Sequence, residues 1–298
     1  MNHDTPTRRR GLLSRLFGKQ TPVTTSLSAE RLQELQNIEL NIVLEIDKVC
    51  KKHNLTYFLA EGSLLGALRH QGFIPWDDDM DISMPREDYN RFLKIAQTEL
   101  PAHLHVCCTD TIPAYHLPFS KVVSTEDHGF VNRQDAVLGD YNGVYVDVFP
   151  IDCFPADRDE ELGKTYKKIR LYRDMLLYRA KYMTARRPSR VWAQLRSHFY
   201  SNEELHRRIT DLCTRYNGAD SAYMVNFASS YPPRRQLVRR ECYDGGRTAA
   251  FDGHSLPIPR GAEELLHTIY GDWQTPPPPE KRDSTHSLLD VRAPSSHA

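Results

Sequence analysis

The sequence predicts an α+β protein in which a half of mixed helices and strands, about 30–150, is followed by a mostly helical half. Apolar residues recur at helical spacing over 28–50, and they alternate with polar residues over 79–84. From about 157 to 216 the pattern is helical and rich in Arg, Lys and Tyr. No Gly/Ser-rich linker separates the halves, so we expect one compact unit over 28–285.

The individual elements follow from local signals along the chain. Ser28 is a candidate N-cap for the first helix, and Pro85 ends the strand that contains the alternating pattern. Gly62 and Ser63 form a turn signal between a short buried strand and a short helix. In chain order we predict a helix at 28–50, a strand at 57–60, a helix at 63–70, a strand at 79–84, a helix at 86–100, strands at 103–108, 118–123, 129–132 and 144–149, and a last helix at 263–270.

Composition excludes several classes of protein. The 298 residues carry 39 Lys and Arg against 39 Asp and Glu, so the chain lacks the basic excess of a nucleic-acid-binding protein. No apolar run approaches the roughly 20 residues of a transmembrane helix. The six cysteines form no Cys-x-x-Cys pair, which favours small buried apolar side chains in a reducing cytosol. We therefore expect a cytoplasmic protein.

The two ends of the chain are expected to lie outside the folded unit. Residues 1–27 contain three consecutive arginines and then a short apolar stretch flanked by Arg15 and Lys19. Residues 8–19 suit a basic amphipathic helix in peripheral contact with the inner face of a membrane, or a disordered basic tail. Residues 286–298 are predicted to be a flexible tail.

Three acidic residues indicate a metal site. Asp79 and Asp81 are two positions apart on a predicted strand, so their carboxylates project from the same face. Asp147 is a lone acid within an otherwise apolar strand, where a charge is costly unless it is paired or bound to a metal. Hard divalent cations that prefer oxygen ligands, Mg²⁺ or Mn²⁺, suit such a set. The alternative for Asp77 and Asp78 is a solvated turn.

The turn at Gly62 and Ser63 points to phosphate as the ligand of that site. Its backbone N–H groups precede a predicted helix, and helix N-termini bind phosphate groups readily. Carboxylates that hold a metal next to such a turn are typical of phosphoryl or nucleotidyl transfer.

At these residues the chain resembles the LicD family of phosphotransferases, which includes the fukutin-type enzymes. The resemblance covers about 30–285. It rests on the runs EGSLLGALRH at 61–70, GFIPWDDDMDI at 72–82, FSKV at 119–122, VYVDVFPID at 144–152 and YGDW at 270–273.

This resemblance implies a nucleotidyltransferase-like fold, in which a mixed β-sheet core carries the acid pair and has flanking helices and a mostly helical C-terminal elaboration. It implies transfer of a phospho-alcohol, usually phosphocholine from CDP-choline, to a sugar of a cell-surface glycan such as lipopolysaccharide or teichoic acid. Position by position, Asp79 and Asp81 match the family's metal-binding pair and Asp147 matches its third acid. Gly62 and Ser63 match the phosphate-side turn.

Several roles remain open at this point. Asp147 either completes the metal site or takes the proton of the acceptor hydroxyl. Asp77, in the family's acidic run, is a lesser substrate-binding candidate. Lys121 either meets donor phosphate or is a surface lysine at a strand end. Trp76 either faces the base or the choline cation of the donor or is a packing residue.

Other functions are also compatible with these residues. The same carboxylates would serve transfer of ribitol phosphate or glycerol phosphate from a CDP donor, or nucleotidyl transfer from a nucleoside triphosphate. A regulator that binds nucleotide or lipid without turnover is the alternative from another class of protein.

Overall fold

The computed structural model describes residues 27–132, 138, 141–155, 157–180, 188–218, 221–282 and 288–290. The helices are α1 (Ala29–His53), α2 (Glu61–His70), α3 (Arg86–Glu99), α4 (Asp159–Arg179), α5 (Pro188–Ser197), α6 (Asn202–Cys213), α7 (Pro233–Gln236) and α8 (Ala262–Tyr270). The strands are β1 (Phe58–Leu59), β2 (Asp81–Pro85), β3 (Leu104–Cys107), β4 (Ser120–Ser124), β5 (Phe130–Asn132), β6 (Tyr145–Cys153), β7 (Tyr223–Val225), β8 (Val238–Arg239), β9 (Gly246–Phe251), β10 (His254–Pro259) and β11 (Leu288–Asp290).

A mixed sheet forms the centre of the molecule, in the strand order β1-β2-β6-β4-β3. Strands β2 and β6 are parallel, whereas β1 pairs with β2, and β4 with both β6 and β3, in antiparallel fashion. The long β6 also pairs with β7 near its far end, and β7 pairs with β8. This architecture confirms the predicted α+β class with a mixed, nucleotidyltransferase-like sheet.

Strand register brings three of the predicted site residues side by side. Asp81, at the start of β2, lies opposite Asp147 on β6. On the other side of β6, Lys121 of β4 lies opposite the same Asp147. The central strand therefore places Asp147 between an acid and a base, although the three residues are far apart in the sequence.

Two hydrophobic clusters hold the elements in place. The larger one packs α1, α2, α3 and α8 against the sheet, with Ile46, Phe58 and Val146 among its fully buried members. The smaller one joins α4 and α6 through residues such as Ile169 and Leu205. The helical pattern of α1 follows from this packing, because its apolar stripe is buried, and the Ser28 side chain caps the helix by accepting a hydrogen bond from the Arg31 amide.

The structure differs from the sequence-based prediction at several elements. Asp79 precedes β2, which begins at Asp81, and Gly62 and Ser63 belong to the first turn of α2. The hairpin of β9 and β10 was not predicted, so the second half of the chain is less helical than expected. Within the predicted tail 286–298, Leu288–Asp290 pairs with β5.

The structure tests the prediction about the cysteines, and it tests only part of the predictions about membranes. All six cysteines are buried free thiols, as predicted. Among the described residues, no helix has both the length and the apolar character that a membrane span requires. The proposed membrane-contact segment 8–19 lies outside the described residues.

A buried ion pair ties α3 to the end of β6. Arg86 donates from Nε and Nη2 to the two carboxylate oxygens of Asp152, at 2.8 and 2.7 Å. Asn217 donates a further hydrogen bond to Asp152 Oδ1 at 2.8 Å. Because Asp152 is almost completely buried, its charge depends on these partners.

Removing the cation of this pair should strongly destabilise the fold. We expect Arg86→Ala to lower the free energy of unfolding by about 3–5 kcal/mol, because it leaves the Asp152 carboxylate buried and uncompensated. The double variant Arg86→Met with Asp152→Leu should be much less destabilised, since it removes both charges. Chemical denaturation measures both; equal losses in the two variants would contradict this explanation.

Candidate active site

A cleft of about 810 Å³ contains most of the predicted site residues. Its walls come from both halves of the chain, since the acids of the sheet and a residue of α4 line the same space. The lining residues used below are Glu61, Gly62, Arg69, Trp76, Asp77, Asp79, Asp81, Phe119, Asp147, Phe149, Arg173, Tyr231, Tyr270 and Trp273.

Asp79, Asp81 and Asp147 all line this cleft, so the structure brings together the three acids that the sequence singled out. Asp81 is buried, and its pKa is raised well above the usual carboxyl value. Burial is the largest cause, followed by the charges of Asp79 and Asp147. A bound cation would relieve this repulsion and favour the charged carboxylate.

Lys121 lies beside Asp147 instead of at the surface. Its Nζ is 3.0 Å from Asp147 Oδ1 and 3.3 Å from the centre of the Tyr145 ring. The residue is only 4% exposed, so the surface-lysine alternative is wrong. The observed contact positions the third acid, whereas contact with donor phosphate stays a prediction.

Gly62 and Ser63 shape the acidic loop that faces them. The Ser63 hydroxyl is buried and accepts a hydrogen bond from the Asp81 backbone N–H at 2.8 Å, which fixes the start of β2. A Cβ on Gly62 would lie 2.7 Å from Asp77 Oδ2, so a larger residue would require the Asp77 carboxylate to move. Both backbone amides lie in the first turn of α2, where a phosphate-binding role stays a prediction.

Trp76 and Asp77 line the cleft, whereas Asp78 does not. Arg282 lies over the Trp76 ring at 5.0 Å, so one face of the ring already carries a cation. The backbone carbonyl of Asp77 accepts a hydrogen bond from Gln36 of α1 at 2.8 Å. Asp78 is buried, which excludes the solvated-turn interpretation for this residue.

Glu61 is a cleft residue that the sequence analysis did not select. Its backbone φ of 45° lies in the left-handed region, which costs an ordinary residue about 1–3 kcal/mol. Oε1 accepts a hydrogen bond from Gln236 Nε2 at 2.6 Å, while Oε2 is buried and has no hydrogen-bond partner among the described residues. Burial raises the pKa of Glu61 to about 7, although hydrogen bonds from Ser229 and Gln236 oppose the shift. Such features are common at functional sites.

Glu39 of α1 is a second acid that the sequence analysis missed. Its side chain is completely buried, and neither carboxylate oxygen has a hydrogen-bond partner within the described ranges. Burial, and then the charges of Asp79, Asp78 and Asp77, raise its pKa well above the usual value. Glu39 is therefore a buried acid that is close enough to the acidic loop for the charges of that loop to act on it.

The residues present fit a hard cation. Nowhere in the described ranges do three Asp, Glu, His or Cys side chains form a ready-made metal cage. Mg²⁺ does not require one, because it keeps several waters and takes one or two protein carboxylates together with substrate phosphates. The oxygen ligands of Asp79, Asp81 and Asp147 and their mutual repulsion suit Mg²⁺ or Mn²⁺, and their roles as ligands stay predictions.

Comparison with known proteins supports the predicted resemblance. Residues 54–184 match the family model described as LicD/FKTN/FKRP, nucleotidyltransferase domain. The chain is 26% identical over 261 residues to the lipopolysaccharide cholinephosphotransferase LicD of Haemophilus influenzae, which covers 86% of this chain and 96% of that protein. A shorter match, 39% identical over 66 residues, links 22% of the chain to 21% of an uncharacterised protein of Rickettsia typhi. The residues matched by the family model, 54–184, include Gly62, Ser63, Asp79, Asp81 and Asp147 of the cleft.

Proposed function

We propose, from the LicD-type nucleotidyltransferase domain at residues 54–184, that this protein is a phosphotransferase that moves a phospho-alcohol onto a sugar hydroxyl. Family and relative both support a phosphotransferase. Our more specific proposal is phosphocholine as the transferred group, CDP-choline as the donor and a cell-surface glycan such as lipopolysaccharide as the acceptor. The main observation in favour of phosphoryl transfer is that Asp79, Asp81 and Asp147 line one cleft.

The aromatic wall of the cleft favours choline among the possible alcohols. Phe119 and Phe149 lie 4.5 Å apart between ring centres, and Tyr231 and Tyr270 lie 5.3 Å apart in an edge-to-face arrangement. Aromatic faces attract quaternary ammonium groups through cation–π interactions. Ribitol phosphate and glycerol phosphate carry hydroxyl groups in place of this cation, so they would gain less from such a wall.

The acidic side of the cleft would hold the cation. Asp79, Asp81 and Asp147 would bind Mg²⁺ or Mn²⁺, which supplies positive charge to the diphosphate oxygens when bound. The N-terminal amides of α2 at Gly62 and Ser63 would offer further hydrogen-bond donors to phosphate. The Nζ of Lys121 lies 3.0 Å from Asp147 Oδ1, so its positive charge offsets part of the negative charge of the three acids.

A carboxylate must also accept the proton of the attacking sugar hydroxyl. Asp147 is paired with Lys121, which suits a ligand role. Glu61 lines the same cleft, and its pKa of about 7 is near the optimum for proton transfer at neutral pH. We therefore assign the proton-acceptor role to Glu61 and the metal-ligand role to Asp147. The sugar oxygen then forms the new bond to the phosphorus that carries the alcohol, and CMP leaves.

A donor screen tests the proposed function. Purified protein, Mg²⁺ and a lipopolysaccharide or teichoic-acid acceptor are incubated with CDP-choline, CDP-ribitol, CDP-glycerol, CDP-ethanolamine or CTP. We expect CMP release and labelled glycan with CDP-choline, and loss of both after addition of EDTA. Release of pyrophosphate from CTP would establish nucleotidyl transfer instead. CDP-choline binding without turnover on any acceptor would support the regulator.

Location at a membrane is part of the same proposal. An acceptor built on a lipid carrier would be reached by a protein bound peripherally at the inner face of the membrane, and residues 8–19 have the basic, apolar composition for such contact. The sedimentation of full-length protein with anionic vesicles, compared with a variant lacking residues 1–26, measures this contact. Equal sedimentation of the two proteins would contradict a role for the N-terminal segment.

A further inference from the structure

Arg173 extends from α4 into the cleft that contains the acids. Its side chain is half-buried, and desolvation lowers its pKa, although a guanidinium remains charged in proteins. Within the described ranges it forms no salt bridge and no hydrogen bond. The groups that attract it most, Tyr166 and Asp174, belong to its own helix. A partly desolvated cation without such partners is less stable than one in water, and an anionic ligand in the cleft would compensate it.

Other cations near the cleft already have partners. Arg69 donates from Nη1 to the Trp273 carbonyl at 2.9 Å. Lys121 is held by Asp147, and Arg282 donates from Nε to the Pro277 carbonyl at 2.8 Å. Arg173 thus differs from these three residues, because its guanidinium donors remain available to a ligand in the cleft.

The charge distribution indicates the chemistry of that ligand. Asp79, Asp81 and Asp147 supply negative charge on the sheet side, while Arg173 supplies a positive charge from the helical side. A diphosphate would suit this distribution, because a metal ion could join its oxygens to the acids while Arg173 pairs with its negative charge. The planar guanidinium binds two phosphate oxygens through parallel hydrogen bonds, a geometry that lysine cannot reproduce.

We propose that Arg173 binds the diphosphate of the nucleotide donor and stabilises the negative charge of the nucleoside monophosphate that leaves. This inference rests on the proposed function, because it requires a nucleoside diphosphate donor. It assigns to α4 a direct part in substrate binding, in addition to its packing on α6.

Calorimetric titration of the full-length protein with CDP and with cytidine, in the presence of Mg²⁺, tests the inference. We expect Arg173→Met, which keeps the apolar stem, to weaken CDP binding by about 10- to 100-fold, as for loss of hydrogen bonds to a charged group. Cytidine binding should not change, because cytidine has no phosphate. Arg173→Lys should recover only part of the CDP affinity. Arg170→Met, at an exposed position of the same helix, is the matched control and should bind CDP normally.

The outcomes separate this inference from the proposed function. Equal CDP affinity in the wild type and Arg173→Met, in a wild-type protein that transfers phosphocholine, overturns the role of Arg173 alone. A parallel loss of CDP and cytidine binding in Arg173→Met assigns the residue a structural role and also overturns the inference. A wild-type protein that neither binds CDP nor transfers from any CDP-alcohol overturns both. Thermal unfolding confirms that each variant is folded; if Arg173→Met is not, Arg173→Gln takes its place in the same titration.

Discussion

Asp81→Asn is expected to reduce transfer from CDP-choline by about 10³-fold, since a bound metal contributes several kcal/mol of charge stabilisation to phosphoryl transfer. Asn keeps the shape of the side chain and removes its charge. The residue is 7% exposed and lies beside Asp79 and Asp147, so the substitution also removes repulsion in the metal-free protein. We therefore expect the variant to be at least as stable as the wild type in the presence of EDTA.

This combination distinguishes a lost ligand from a damaged fold. Transfer rates at saturating Mg²⁺ and thermal unfolding with EDTA are measured on the same preparations, and Mn²⁺ binding is measured by calorimetry. Asp244→Asn, at an exposed position, is the control and should leave both properties unchanged. Wild-type activity in a folded Asp81→Asn protein would refute the metal site.

Glu61→Gln should make the protein less active and more stable. The proton-acceptor role predicts a loss of about 10²-fold in the transfer rate with little change in CDP binding. Gln retains an oxygen that accepts the hydrogen bond from Gln236, and it eliminates the cost of a buried charge. A residue retained for function commonly carries such a cost in stability.

The stability gain should depend on pH with a defined sign. The pKa of Glu61 is raised from 4.5 to about 7 by folding, so the protonated side chain contributes stability that is complete below pH 4.5 and lost as pH rises through 7. At pH 8 the ionisation of Glu61 should lower the free energy of unfolding of the wild type by about 3 kcal/mol relative to its value at low pH. Glu61→Gln does not ionise and should not show this loss. We expect a melting temperature about 6 °C higher than that of the wild type at pH 8, and a much smaller difference at pH 5.

Thermal unfolding at both pH values, with EDTA to exclude metal effects, measures this dependence. Glu160→Gln on the exposed face of α4 is the matched control and should show no such pH dependence. Unchanged transfer by Glu61→Gln would assign the proton to another group, such as Asp147. Equal melting temperatures of Glu61→Gln and the wild type at pH 8 would show that burial of the Glu61 carboxylate does not destabilise the native protein.

Local patterns explain why much of the fold was predictable. The apolar stripe of α1 and the strands of the central sheet follow from spacing alone, because burial of one face imposes a period on the sequence. The β9–β10 hairpin escaped prediction because Pro257 and Pro259 interrupt its second strand, and proline is uncommon within strands. Ser63 was expected to be part of a turn, yet its hydroxyl holds the Asp81 amide, a contact that spans 18 positions of the chain.

Some residues of the cleft could likewise be predicted from the sequence, and others could not. Asp79, Asp81 and Asp147 could be chosen from the sequence because an acid in an apolar strand conflicts with its surroundings whatever the fold. Glu61 could not, because its environment depends on Gln236, which is 175 positions away. Arg173 lies in a run of basic residues that resembles a solvated helix face, and only packing shows that it enters the cleft.

The α+β class, the resemblance to LicD proteins and the choice of three candidate carboxylates could be predicted, since each rests on residue type and spacing along the chain. The pairing of Lys121 with Asp147, the burial of Glu61 and the position of Arg173 in the same cleft as the acids are visible only in the folded protein. The physical reason is that desolvation and charge pairing depend on distances in space, which the order of residues does not specify.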